Sequence, residues 1–134
     1  MCSFFLWISP IDGLTLGCYS LHMAATRKGY DFDGVITHGV VPFGERCYII
    51  TGRSFEQAGR TYKQLAEKGI ECAVYFHPSK QKDIDPESAA RWKCDMIRIL
   101  GIEIFYEDSS EQIYYIKEEF PMLDVRHVVN GIAP

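Results

Sequence analysis

From Arg46 onward, short apolar runs alternate with longer segments whose apolar residues recur at helical spacing, and this alternation leaves few folds open. "RCYIITGRS" is a strand-like run that ends at Thr51-Gly52. In the following "SFEQAGRTYKQLAEKG", Phe55, Ala58, Tyr62 and Leu65 share one helical face, Ser54 and Gln57 stand at capping-box spacing, and Gly69 closes the helix. "IECAVYF" then reads as a buried strand, which completes a βαβ unit. Asp85-Pro86 opens a second helix that Gly101 ends, and "IEIFYED" follows as a strand with its acids at the carboxyl end. "SSEQIYYIKEEFP" is a third helix, with Ser109 and Gln112 at capping-box spacing and Pro121 as its stop, and "DVRHVV" is a last strand. The order predicts an α/β protein: a three-layer Rossmann-like fold with a mainly parallel central sheet, whose ligands sit beyond the carboxyl ends of the strands.

Length and composition limit what such a fold can carry. A chain of 134 residues supports one core of ordinary size, and 47% apolar with 24% charged residues is the usual balance of a folded domain. The net charge of −4 provides no general attraction to nucleic acid or to anionic membranes. Cys2, Cys18, Cys47, Cys72 and Cys94 are widely spaced without a C-x-x-C, which fits reduced thiols in a cytoplasmic protein and disfavours structural zinc. The apolar start breaks at Pro10 and Asp12, short of signal-peptide or membrane length. Met23 precedes a more polar beginning, so residues 1–22 read as an N-terminal extension and 23–134 as the domain.

The polar residues with chemical potential fall where strands should end. In "YDFDGVITHG", Asp31 and Asp33 repel one another, and their nearest basic neighbour is Lys28. Thr51 ends the next strand, and Glu107 with Asp108 ends a later one. Lys93 lies at i, i+4 and i+7 with Ile97 and Leu100, on the helix face that packs against the sheet. Lys80 and Lys82 are the fallback cations, although "PSKQKD" has the look of an exposed loop. His38 and Arg53 flank these motifs as candidate substrate contacts, with a solvated surface role for Arg53 as the plainer alternative. His22, His77 and His127 read as structural or exposed, and no two histidines have metal-ligand spacing.

Together "DFDG", "IITGR", Lys93 and "YED", in this order and on these elements, resemble the four motifs of the haloacid dehalogenase (HAD)-like hydrolase superfamily, over essentially Tyr30 to Pro134. The resemblance implies a phosphatase in which Asp31 is the nucleophile and forms an aspartyl-phosphate, while Asp33 serves as general acid and base. It further implies Mg²⁺ held by the Asp31 carboxylate, the Asp33 backbone carbonyl and Asp108, with Glu107 acting through a water. Thr51 and Lys93 would hold phosphoryl oxygens, with Gly52, Arg53 and His38 around the substrate. Dehalogenase branches lack the second aspartate, so Asp33 favours phosphoryl chemistry, and phosphate-receiver domains carry their acceptor on a middle strand.

Only 13 residues, 38 to 50, separate Thr37 from Thr51, too few for a strand plus a crossover helix, so the link should be a loop or a short turn. The same shortness leaves no room for a sizeable cap domain, and an open site in this family suits macromolecular or oligomer-enclosed substrates. "DGVITHG" and "IITGRS" are also similar to the capless 3-deoxy-octulosonate phosphate phosphatases, tetramers acting on a sugar phosphate, whose fourth motif has a different acidic spacing. The substrate therefore stays open among a sugar phosphate, a nucleotide and a nucleic-acid end, with a homo-oligomer as one implied partner. The competing class is a catalytically impaired HAD-like domain acting as a metal- or phosphate-binding or interaction module.

Overall fold

The computed structural model describes residues 25–134. His22, Cys2, Cys18, Met23 and the expected extension 1–22 lie outside the described residues. Among the described residues, five strands form one all-parallel sheet: β1 (Arg27–Tyr30), β2 (Arg46–Ser54), β3 (Ala73–His77), β4 (Ile104–Glu107) and β5 (Asp124–His127). Their spatial order is β3-β2-β1-β4-β5, so the direction of progression reverses between β1 and β4. Three helices connect them: α1 (Ala58–Lys68), α2 (Pro86–Leu100) and α3 (Ser110–Glu119). This is an α/β architecture of Rossmann-like type. No helix among the described residues is long and apolar enough to cross a membrane.

Alternation along the strands divides the core into two clusters. Ile49 belongs to one with Tyr30, Phe32, Val35, Ile36, Leu65 of α1 and Val128. Its neighbour Ile50 belongs to the other, with Met96 and Ile97 of α2, Ile116 of α3, Ile102 and Phe105. Side chains of consecutive strand residues point to opposite faces, which is why adjacent isoleucines serve different clusters.

The central strand explains its own unpromising sequence. β1 pairs with both β2 and β4, yet "RKGY" is poor in apolar residues. Gly29 is buried because Phe105 of the next strand fills the space above it: a Cβ there would stand 2.8 Å from the Phe105 ring. Tyr30 stacks on Tyr106, ring centroids 4.6 Å apart, so the core volume comes partly from the neighbouring strand. The link to β2 is a single 3-10 turn, Ile36–His38, followed by irregular chain, as the short spacing requires.

Several local expectations are corrected. β2 does not stop at Thr51 but runs on to Ser54, with a register irregularity against β3 between Ile50 and Ser54. Ser54 accordingly caps a 3-10 turn, Phe55–Gln57, accepting from the Glu56 N–H, and α1 starts only at Ala58. Phe55 therefore lies outside the helical phase and is exposed, as is Tyr62, while Thr61 and Leu65 form the buried face. β3 is an edge strand, only partly buried rather than a covered one. His77 is buried, its Nε2 3.3 Å from the Ser88 carbonyl, and His127 is exposed, with Nε2 3.1 Å from the Asp108 carbonyl. The thiols of Cys47, Cys72 and Cys94 are free.

α2 and α3 start where sequence chemistry places them. Asp85 accepts from the Ser88 N–H at 2.7 Å and the Ser88 hydroxyl accepts from the Asp85 N–H at 3.2 Å, a reciprocal capping box with Pro86 at the first helical position. Ser109 caps α3 by accepting from the Gln112 N–H. Both helix N-termini thus face the carboxyl edge of the sheet.

Candidate active site

Where neighbouring strands connect in opposite directions, their carboxyl ends part and leave a crevice. Asp31 follows β1 directly, its N–H donating to the Tyr106 carbonyl, and Glu107 and Asp108 stand at the end of β4. These residues are far apart in sequence, yet each of the three offers a carboxylate oxygen within 4.8 Å of the others.

Lys93 enters this group from the middle of α2. Its side chain is only 1% exposed, with Nζ 2.7 Å from Glu107 Oε1, 3.1 Å from Asp31 Oδ1 and 2.6 Å from Gln112 Oε1. An ammonium has three donors, and here three acceptors meet them. Lys80 and Lys82 are exposed on the β3–α2 connection. The second oxygen of Glu107 accepts from the backbone N–H groups of Asp108 and Ser109, at 3.1 and 3.2 Å, so this fully buried carboxylate has partners on both sides.

The charges are unevenly shared. Burial, reinforced by the charge of Glu107, pushes the Asp31 carboxyl well above the ordinary range despite Lys93. Burial also acts to raise Glu107, but Lys93 and the hydrogen bonds from Asp31, Lys93 and Ser109 outweigh it and the net shift is downward. Lys93 loses by burial and gains more from Asp31 and Glu107, so its ammonium is held above its usual range. Asp108 is raised by burial and then by Glu107. One cation among three acids leaves an excess of negative charge that a proton or a metal cation relieves.

Gly34 lets Asp108 join the group. Its φ is +82°, and a Cβ at this position would fall 2.0 Å from Asp108 Oδ2, so only glycine admits that carboxylate. The Gly34 N–H donates to Thr37 Oγ1 at 2.9 Å, which fixes the turn after Asp31.

Asp33 is not part of this acidic cluster. Its exposed carboxylate receives a bidentate pair from Arg53, Nε to Oδ2 at 2.8 Å and Nη2 to Oδ1 at 2.7 Å. Thr51 is completely buried, accepts the Arg53 N–H at 3.0 Å, and keeps its hydroxyl proton to donate elsewhere. Its carbonyl accepts from Trp92 Nε1 at 3.0 Å, which ties β2 to α2. An open cavity of about 490 Å³ lies over these groups, lined by Asp31, Asp33, His38, Gly52, Arg53 and Lys93 among others. Thr51 and Glu107 sit behind its surface.

Four participants have weak signals in the sequence. In the sequence Gln112 stands out only as a capping partner, yet its side chain completes the Lys93 shell. Trp92, Thr61 and Gln64 support Thr51 and Arg53. The available hint was Thr61, a hydroxyl on the inward face of an amphipathic helix. Comparison with family models, characterised proteins and solved structures finds no match for the chain.

Proposed function

We propose that the chain is a Mg²⁺-dependent phosphomonoester hydrolase of the HAD-like type, three-layered and without a sizeable cap domain. The observation that carries this reading is the meeting of Asp31, Lys93, Glu107 and Asp108 at the point where strand order reverses. The separate core clusters containing α1 and containing α2 with α3 support helices on both faces, and the short Thr37–Thr51 link supports an uncapped site.

The donor set suits a hard divalent cation: it is oxygen-only, acidic, and lacks enough positive charge of its own. Asp31, Asp108 and the Asp33 backbone carbonyl would hold Mg²⁺, while Glu107, with both oxygens engaged, holds Lys93 in place. When bound, Mg²⁺ supplies charge neutralisation at the phosphoryl oxygens and keeps Asp31 ionised. In the reaction Asp33 first takes a proton from solvent, one arm of the Arg53 fork opening while the other stays; Asp31 Oδ then attacks phosphorus, the ester P–O bond breaks, and Asp33 gives that proton to the leaving alkoxide. Asp33 then takes a proton from water, whose oxygen attacks the aspartyl-phosphate and releases inorganic phosphate with free Asp31. Lys93 and the Thr51 hydroxyl serve the phosphoryl oxygens as charge and donor.

Hydrolysis of a generic aryl phosphate with and without Mg²⁺, in the native chain and in Asp31→Asn, tests the reading. Activity that depends on Mg²⁺ and disappears with the substitution is expected. Activity that persists in Asp31→Asn would remove the nucleophile, and an inactive native chain would favour the binding-module alternative.

A further inference from the structure

Arg53 was expected near the substrate, but its donors are already committed. The guanidinium has five N–H groups, and four are used: two on Asp33, one on Thr61 Oγ1 at 2.9 Å and one on Gln64 Oε1 at 2.8 Å. Its carbon lies 4.6 Å from the centre of the Phe32 ring, and the side chain is 10% exposed whereas that of Asp33 is 59% exposed. Thr61 is fully buried and passes its own proton to the Gln57 carbonyl at 2.9 Å. An unbroken chain of hydrogen bonds thus runs from the backbone at the start of α1, through Thr61 and Arg53, to the carboxylate of Asp33.

An exposed aspartate with no such partner samples several rotamers, and an exposed ion pair contributes little to stability. A planar fork whose other end is fixed in a helix does something different: it selects one orientation. We propose that Arg53 is a positioning residue that orients Asp33 for proton transfer, with α1 as its anchor, and does not bind the phosphate. The proposal rests on the reading of Asp33 as the group that protonates the leaving oxygen.

Leaving-group dependence separates this role from others. An alkyl phosphate needs its leaving alkoxide protonated, while a nitrophenyl phosphate departs with little help. With Mg²⁺ present, Arg53→Ala should lower the single-turnover rate of alcohol release from the alkyl ester by about 100-fold, the low end of general-acid contributions, and the burst rate of nitrophenol release by less than about threefold, both read before the aspartyl-phosphate is hydrolysed. KM should stay within about twofold for both, since uniform binding is untouched. Asp33→Asn should show the same pattern, and the double variant should lose little more than either single one. Arg53→Lys keeps the charge without the fork and should still lose alkyl-ester turnover, and Gln64→Ala should show the same selectivity at smaller size. These two milder variants keep the test available if Arg53→Ala does not unfold cooperatively.

A raised KM with an unchanged release rate would make Arg53 a phosphate contact, and equal losses in leaving-group release from both esters would make it a purely structural one. Unchanged kinetics in Arg53→Ala and Arg53→Lys would leave it without a role. Any of these overturns the proposal while the native activity stands. A native chain inactive on both esters overturns the phosphatase reading and this proposal with it.

Discussion

Lys93 takes a positive charge out of water at a cost of several kcal/mol, and only the acceptors that surround it make this sustainable. Replacing it with methionine keeps the stem and removes the charge, which leaves Glu107 ionised and buried without a cation. Lys93→Met should therefore destabilise the fold by roughly 3–5 kcal/mol, the usual consequence of breaking a buried pair from one side. A urea midpoint would report it, and a loss below about 1 kcal/mol would mean that Glu107 simply protonates. The acids also set a pH dependence. The Asp31 carboxyl is raised in the fold, so its contribution is complete below its ordinary value of 3.8 and is lost as pH rises through the elevated one. Glu107 has the opposite sign: its contribution is present above its ordinary value and lost as acid titrates it through the depressed one. Metal-free protein should thus lose thermal stability as pH rises above the ordinary carboxylate range, and Asp31→Asn should flatten that slope. A native chain with a flat Tm profile there would contradict the raised Asp31.

At the scale of elements, the sheet depends on a close fit between a small residue and a large one. β1 can be central because Phe105 reaches over Gly29. Gly29→Val should cost about 1–3 kcal/mol by overpacking, and Phe105→Leu in the same chain should recover part of it. Additive losses from the two substitutions, read from denaturant midpoints, would separate the pair. Helices were the easier elements to anticipate, because α2 and α3 carry their start signals locally: Asp85-Pro86 with Ser88, and Ser109 with Gln112. The phase of α1 differs from the one its sequence suggests because β2 continues through Ser54 and a 3-10 turn takes up Phe55–Gln57. That continuation lies beside β3, in a register irregularity that no window of local sequence contains.

For the whole molecule, the excess of carboxylates over Lys93 predicts a linkage between folding and a divalent cation. Mg²⁺ at a hundred times its Kd should stabilise the native chain by about 2.7 kcal/mol, seen as a rise in Tm with concentration. Asp108→Asn and Asp31→Asn should each abolish most of that rise, whereas an exposed acid far from the cluster, such as Asp124, should not matter. An equal response in all three would reduce the effect to general screening. By itself the sequence determined the alternation of strands and helices and the order of the acids, the threonine and the lysine, because periodicity and capping act over a few residues. Tertiary structure alone decided that Glu107 and Gln112 take two of the three Lys93 donors, and that Arg53 turns to Asp33 and α1. Partners separated by 8 to 20 positions meet only once strand order and helix phase are set, and hydrogen-bond geometry, not residue type, then assigns each donor its acceptor.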